Sequence, residues 1–218
     1  MEHPLTPMEL RILGCLIEKK MATPDYYPLS LNALINACNQ KSNRDPVMAA
    51  DEDTVLEGIN SLTKRRMIFQ SHLSRVPKYE ESFLNENDFV PEESAILCVL
   101  LLRGPQTVGE IRSRTERLYG FENLAHVSRI TANLISRNFV LELDRQPGRK
   151  EVRYAHTLGD VVEIESSSDE MVPERHTSTM SADSEARIQA LEEKVDAITM
   201  ALDELKAQFM EFKESLGG

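Results

Sequence analysis

No apolar run in the 218-residue sequence approaches the roughly 20 residues that a membrane-spanning helix needs. The start, MEHPLTPMEL, has no basic region followed by an apolar one, so no secretory signal is read there and the cytoplasm is the expected location. Cysteine is scarce. Cys15, Cys38 and Cys98 are odd in number and widely spaced, a set that suits neither a disulfide framework nor a zinc site. Catalytic motifs are missing as well: His3, His72, His126, His156 and His176 stand apart, and there is no Gly-rich phosphate loop, no His-Glu-x-x-His and no Cys-x-x-Cys. No cysteine converges in sequence on a histidine that would activate it. The expectation is a protein that is not an enzyme, with no cofactor, no bound metal and no membrane association.

What is present is a repeat. Pro7 to Leu16 reads PMELRILGCL and Pro91 to Leu100 reads PEESAILCVL, which places Glu9 over Glu93, Ile12 over Ile96, Leu13 over Leu97 and Leu16 over Leu100. In both copies proline suits the first helical position, glutamate sits in the first turn, and apolar residues share one face. The thiols of Cys15 and Cys98 fall within these copies, where small buried residues are expected.

The two copies continue in step. Thr6-Pro7-Met8-Glu9 has the form of a capping box and starts a helix to about Lys20. The prolines of TPDYYPLS forbid helix until Ser30 caps a second one, Leu31 to about Cys38, and a polar loop containing Pro46 follows. A third helix begins at Asp51 or Asp53 and ends in Lys64-Arg65-Arg66, before strands at Ile68 to Leu73 and Val76 to Tyr79. In the second copy Thr107 to Glu110 is another capping box, Asn123 can cap the third helix, and VLELD and EVRYAH flank a hairpin tip at Arg145 to Lys150. Helix, helix, helix and hairpin is the order of a winged helix. The predicted fold is mainly α with small β-wings (α+β): tandem winged-helix domains at 1–85 and 86–158.

Residues 1–85 and 86–160 each carry 10 basic and 11 acidic side chains, whereas residues 161–218 carry 5 and 14. The net charge of −11 therefore belongs to the tail, and does not exclude nucleic acid as a partner of the rest. Between 112 and 153, nine basic groups face five acidic ones, a modest local excess.

The tail divides in two. Residues 159–183, rich in Ser, Glu and Asp, read as a flexible acidic linker. Residues 184–218 recover a helical pattern, with Ile188, Val195, Leu202, Phe209 and Leu216 every seven residues, interleaved by Leu191, Ile198, Leu205 and Phe212. Over 188–216 that is a helix of about 43 Å with an unbroken heptad seam. It either pairs between chains as a coiled coil, making a homo-oligomer, or lies back on the domains, and the period of 3.5 favours pairing.

Two long segments carry a resemblance. Thr23-Pro24-Asp25-Tyr26-Tyr27-Pro28-Leu29-Ser30-Leu31-Asn32 and Cys38-Asn39-Gln40-Lys41-Ser42-Asn43-Arg44-Asp45-Pro46-Val47, with GPQTVGEIRSR from Gly104 to Arg114, resemble the hallmark segments of the YceH-like family of uncharacterised bacterial proteins. The resemblance covers residues 5 to about 158. It implies a bacterial cytoplasmic protein with two winged-helix domains, and it implies no activity and no site residues.

In a helix-turn-helix the third helix enters the major groove while wing and helix N-termini meet phosphates. In the first copy Lys41, Asn43 and Arg44 before the third helix, and Arg75 and Lys78 on the wing, form a candidate contact set. The alternative is a structured loop whose polar side chains bond backbone, and Asp51, Glu52 and Asp53 would repel a duplex. In the second copy Arg129 on the third helix, Arg145, Arg149 and Lys150 at the wing tip, and Arg153 are the candidates, against the alternative of a solvated hairpin. Tyr26 and Tyr27 beside Pro24 and Pro28 either line a small-molecule pocket or simply pack over a core. Two functions follow: a regulator that binds double-stranded DNA and oligomerises through its C-terminal helix, or a scaffold that uses the same domains to dock a protein partner.

Overall fold

The computed structural model describes residues 4–71, 76–145, 151–160, 190, 193–206 and 208. Helix starts follow the caps written in the sequence. The helix α1 (Pro7–Ala22) opens with a reciprocal box in which the Glu9 N–H donates to Thr6 Oγ1 at 3.3 Å and the Thr6 N–H to Glu9 Oε2 at 2.6 Å. Ser30 accepts from the Ala33 N–H to start α2 (Leu31–Cys38), and Asp51 accepts from Thr54 to start α3 (Glu52–Lys64). After a short α4 (Phe83–Glu86), α5 (Pro91–Arg103) lacks a polar N-cap side chain, and only Glu93 reaches back, to the Val90 N–H. Thr107 and Glu110 box the start of α6 (Val108–Thr115), and Asn123 caps α7 (Leu124–Ser136).

The sheets are small and antiparallel. In the first unit β1 (Leu29–Ser30) and β2 (Ile68–Ser71) flank β3 (Lys78–Glu81). In the second unit β4 (Val140–Glu142) pairs with β5 (Tyr154–His156), and an isolated bridge from Gln106 to Tyr154 stands where β1 meets β3 in the first. β4 and β5 are shorter than VLELD and EVRYAH, β3 keeps the expected four residues but sits two positions later than Val76 to Tyr79, and β1 and α4 had no signal of their own. Pro24–Tyr26 forms one 3₁₀ turn in the stretch whose prolines were expected to exclude helix; Pro24 takes its first position, where a missing N–H is harmless.

The repeat reaches down to single hydrogen bonds. In the first unit Arg66 turns the chain at φ 57°, and the Ser82 hydroxyl donates to its carbonyl at 2.7 Å. In the second, Asn138 turns it at φ 59° and the Thr157 hydroxyl does the same at 2.6 Å. The residue ending the third helix pairs with the glutamate opening the first in both units: Arg65 with Glu9 at 3.7 Å and Arg137 with Glu93 at 2.5 Å. These ties lock the hairpin corner onto the helices.

The two first helices pack on each other. Leu97, Cys98, Leu101 and Leu102 of α5 join the core of the first unit, while Ile96 and Leu100 face that of the second with Ile111, Val127, Ile130 and Leu134. A helix buried on opposite sides has no polar face, which is why α5 reads as a nearly continuous apolar run. The crossing is close: a Cβ on Gly14 would lie 2.8 Å from Leu102 Cδ2, and the Cys98 thiol donates to the Gly14 carbonyl at 3.6 Å. Residues 14 and 98 are equivalent positions of the repeat. The chain then returns to its start, the Leu5 N–H donating to the Leu158 carbonyl at 2.8 Å, with Leu158 in the first core and Gly159 against Leu10. The expected linker therefore does not begin at 159; its residues 161–183 lie outside those described.

Residues 193–206 are helical and lie on α1 and α2. The side they turn inward is not the heptad seam. Asp196 binds Lys19 Nζ at 3.0 Å and Gln40 at 2.8 Å, Asp203 accepts from Asn32 at 2.7 Å, Glu193 pairs with Arg117, and Met200 packs against the first core. Val195, Ile198, Leu202 and Leu205 remain exposed. Of the other seam positions, Ile188, Leu191, Phe209, Phe212 and Leu216 lie outside the described residues.

Candidate nucleic-acid interface

The third helix of the second unit is anchored along one stripe. Val127, Ile130, Thr131 and Leu134 are buried, and Phe121, whose ring lies 5.2 Å from that of His126, closes the N-terminal end. What remains outward is Leu124, Ala125, Ser128, Arg129, Ala132, Asn133 and Ser136. No carboxylate occurs anywhere in α7. Small side chains with one arginine and one asparagine suit close approach to base edges and phosphates, since each hydrogen-bonds without repelling. Arg129 is one of the candidates taken from the sequence; Ser128 and Asn133, exposed beside it, are not, although the period of 3.6 places them on the same face.

The matching face of α3 differs in charge. Glu52, Asp53, Glu57 and Asn60 are exposed there, and the Asp51 carboxyl is held below its ordinary range by hydrogen bonds from the Thr54 side chain and N–H. Lys41 is exposed and Lys78 is half-buried on β3. Asn43 adopts φ 56° and its side-chain carbonyl accepts from Arg103.

Arg44 corrects the sequence expectation. Its guanidinium is fully buried and all five of its N–H donors have acceptors: Ala37 O at 3.1 Å, Glu18 Oε1 at 3.1 Å and Oε2 at 2.6 Å, Asn43 O at 3.1 Å and Gln40 Oε1 at 2.8 Å. Nothing is left to offer a phosphate. The loop before α3 is instead a structural plug: Arg11 donates to the carbonyls of Cys38 at 3.0 Å and Pro46 at 2.6 Å, and Asn39 exchanges two 2.8 Å bonds with Ala50. Burial opposes the charge on Glu18, yet Arg44 keeps its carboxyl below the usual range. Burial also works against a Cys15 thiolate, but a hydrogen bond from Cys38 and the charge of Arg44 bring that thiol down to about 7, while Cys38 and Cys98 are pushed up. All three thiols are buried.

Most of the basic side chains of the second unit already have partners within the fold, although Arg112 and Arg117 are exposed and Arg114, Arg137 and Arg153 are half-buried. Arg112 donates to the carbonyls of Phe121 and Glu122, Arg114 to Gln106, Arg117 to Glu193, and Arg137 to Glu93 beneath the rings of Phe89 and Phe139. Arg153 binds Pro105 O at 2.8 Å and Glu110 at 3.1 Å, so it braces the start of α6. Arg129 and Arg145 are exposed, with no ion pair among the described residues. Arg75, Arg149 and Lys150 lie outside the described residues.

Tyr27 packs on the first core and its hydroxyl accepts from the Glu81 N–H at 2.6 Å, while Tyr26 lines the groove that the C-terminal helix covers. Among the described residues no helix is long and apolar enough to cross a membrane.

Residues 5–149 match the family described as "Protein of unknown function, DUF480". A UPF0502 protein of Solibacter usitatus is 44% identical over 210 residues, covering 96% of this chain and 100% of the relative. UPF0502 protein GSU0233 of Geobacter sulfurreducens is 45% identical over 219 residues, with 96% and 100% coverage, and UPF0502 protein Acid345_3645 of Koribacter versatilis is 54% identical over 157 residues, covering 71% of this chain and 73% of that one. The family match spans well over half of the chain and these relatives align with most of it, so the chain belongs to the DUF480/UPF0502 family of uncharacterised bacterial proteins.

Proposed function

We propose that the protein is a DNA-binding regulator built from two winged helices, in which the second contacts the duplex and the C-terminal helix joins copies into an oligomer. The observation that carries this reading is the outward face of α7, which offers Ser128, Arg129 and Asn133 and no carboxylate. The hairpin after it supplies Arg145, and by sequence Arg149 and Lys150, as phosphate contacts. In the first unit acidic side chains occupy the corresponding face, so that unit serves as a support and as the seat of the C-terminal helix. Oligomerisation adds avidity to a weak single contact.

The test is fluorescence anisotropy with pooled genomic DNA fragments at low salt. Arg129→Ala with Asn133→Ala is expected to weaken binding about tenfold or more, in line with about 1–3 kcal/mol for a good base contact. Arg149→Ala with Lys150→Ala, which removes two phosphate contacts, is expected to weaken it and to flatten its dependence on salt. Glu57→Ala on α3 is expected to leave it unchanged. Absence of any DNA binding by the unaltered protein at low salt would overturn the reading. The second reading, a scaffold that docks a protein partner without touching DNA, is favoured by the exposed Glu52, Asp53 and Glu57 on α3. It predicts a defined complex in lysate that charge reversal at these three positions abolishes.

A further inference from the structure

The C-terminal helix has two faces of opposite character. Glu193, Asp196, Met200 and Asp203, spaced three, four and three apart, form the face seated on the first unit through Arg117, Lys19, Gln40 and Asn32. The other face carries Val195, Ile198, Leu202 and Leu205, which are 60%, 68%, 47% and 62% exposed. A helix held by its polar back cannot also turn its apolar seam inward. The seam's period of 3.5 residues is complementary to another seam of the same kind, and this segment carries the sequence's heptad pattern, so the occupant is a second copy.

We propose that the two copies pair antiparallel, about a two-fold axis passing close to residue 200. This rests on the oligomerisation included in the proposed function and gives it a geometry. Two properties of the heptads set the direction, with positions outside 193–206 entering by sequence alone. The first is volume. The seam runs from Ile188, Leu191 and Val195 to Phe209, Phe212 and Leu216, so a parallel pair would stack two consecutive Phe–Phe layers toward one end. The antiparallel pair sets Val195 against Leu205, Ile198 against Leu202, Leu191 against Phe209 and Ile188 against Phe212, layers of more even volume that interdigitate better.

The second is charge. The flanking row at 185, 192, 199, 206 and 213 reads Glu, Glu, Thr, Lys, Lys, changing sign along its length. Antiparallel pairing about residue 200 places Glu192 opposite Lys206 and Glu185 opposite Lys213, each pair occurring twice by symmetry. In-register parallel pairing of the same stretch gives Arg187 beside Glu192 as its opposite-charge contact. Because Met200 and Asp196 point away from the seam, each first unit stays on the outer side of its helix and pairing displaces none of its contacts.

Disulfide trapping in the full chain tests the direction. The native thiols are buried and do not compete. Under mild oxidation Val195→Cys with Leu205→Cys is expected to give covalent dimer on a non-reducing gel in at least tenfold higher yield than either single variant. Equal trapping by the single variants would overturn the antiparallel geometry while leaving the oligomer standing. A monomeric mass by light scattering for the unaltered chain would overturn the oligomer itself, whatever the DNA assay gives. A dimer that survives Leu202→Asp would remove the seam as its interface.

Discussion

Removing the guanidinium of Arg44 separates the two roles that a basic residue in this loop could play. With Arg44→Met the side chain keeps much of its length and loses five hydrogen bonds, two of them to Glu18. Glu18 then remains nearly buried as an unpaired carboxylate, and the carbonyls of Ala37 and Asn43 lose their donor. Breaking a buried ion pair from one side costs about 3–5 kcal/mol, against a total stability of about 5–15 kcal/mol for an ordinary domain. The readout is urea unfolding at neutral pH, where the midpoint should fall with little change in slope. Replacing both partners, Arg44→Met with Glu18→Leu, should recover at least half of the loss, because no charge is then left alone. The carboxyl of Glu18 is held below its ordinary 4.5, so the pair's contribution is present above that pH and is lost as acid protonates it. A stability change below about 1 kcal/mol in Arg44→Met, accompanied by weaker DNA binding, would refute this account and return Arg44 to the surface.

Gly14→Val should destabilise by about 1–3 kcal/mol in thermal unfolding even though valine is the better helix former, because the new Cβ meets Leu102 at 2.8 Å and Leu101 Cβ at 3.2 Å. An unchanged or raised midpoint would mean that α1 and α5 are not in close contact there. Burial pulls the His156 imidazole down from 6.5 to about 4, so the folded state keeps it neutral while the unfolded chain takes up a proton. Stability should therefore fall as pH drops from 6.5 toward 4, by up to about 3 kcal/mol from this residue, and His156→Gln should flatten that part of the profile. An identical pH dependence in the variant would remove His156 as its source.

Local signals in the sequence marked where helices begin, since Thr6, Ser30, Thr107 and Asn123 each accept from the N–H three residues ahead; of Asp51 and Asp53, which the sequence left open, Asp51 is the cap. β1 was not legible, because two residues pairing with Lys78 and Tyr79 carry no period of their own. Charge counts misled for a similar reason. A tally of nine basic groups between 112 and 153 cannot tell Arg129, which faces solvent, from Arg137 and Arg153, which are half-buried against partners distant in sequence. Arg44 was the sharpest case: it stands in a polar loop of Lys, Asn and Asp that reads as surface, and only the closing of that loop over α1 buries it. The heptad of the C-terminal helix was plain, but nothing local marks the stripe of Glu193, Asp196, Met200 and Asp203 behind it, whose partners Lys19, Asn32, Gln40 and Arg117 are distant in sequence.

The meeting of Gly14 with Cys98 has a wider consequence. Two helices touching through equivalent positions is what a symmetric dimer does at its axis, so this chain encloses a dimer-like interface between its own halves. Two separate identical subunits would have to change both sides of such an interface at once. Covalent linkage lifts that constraint: one half can keep a thiol where the other keeps glycine, and one third helix can become acidic while the other sheds every carboxylate. The joined halves are free to specialise without ever losing their partner.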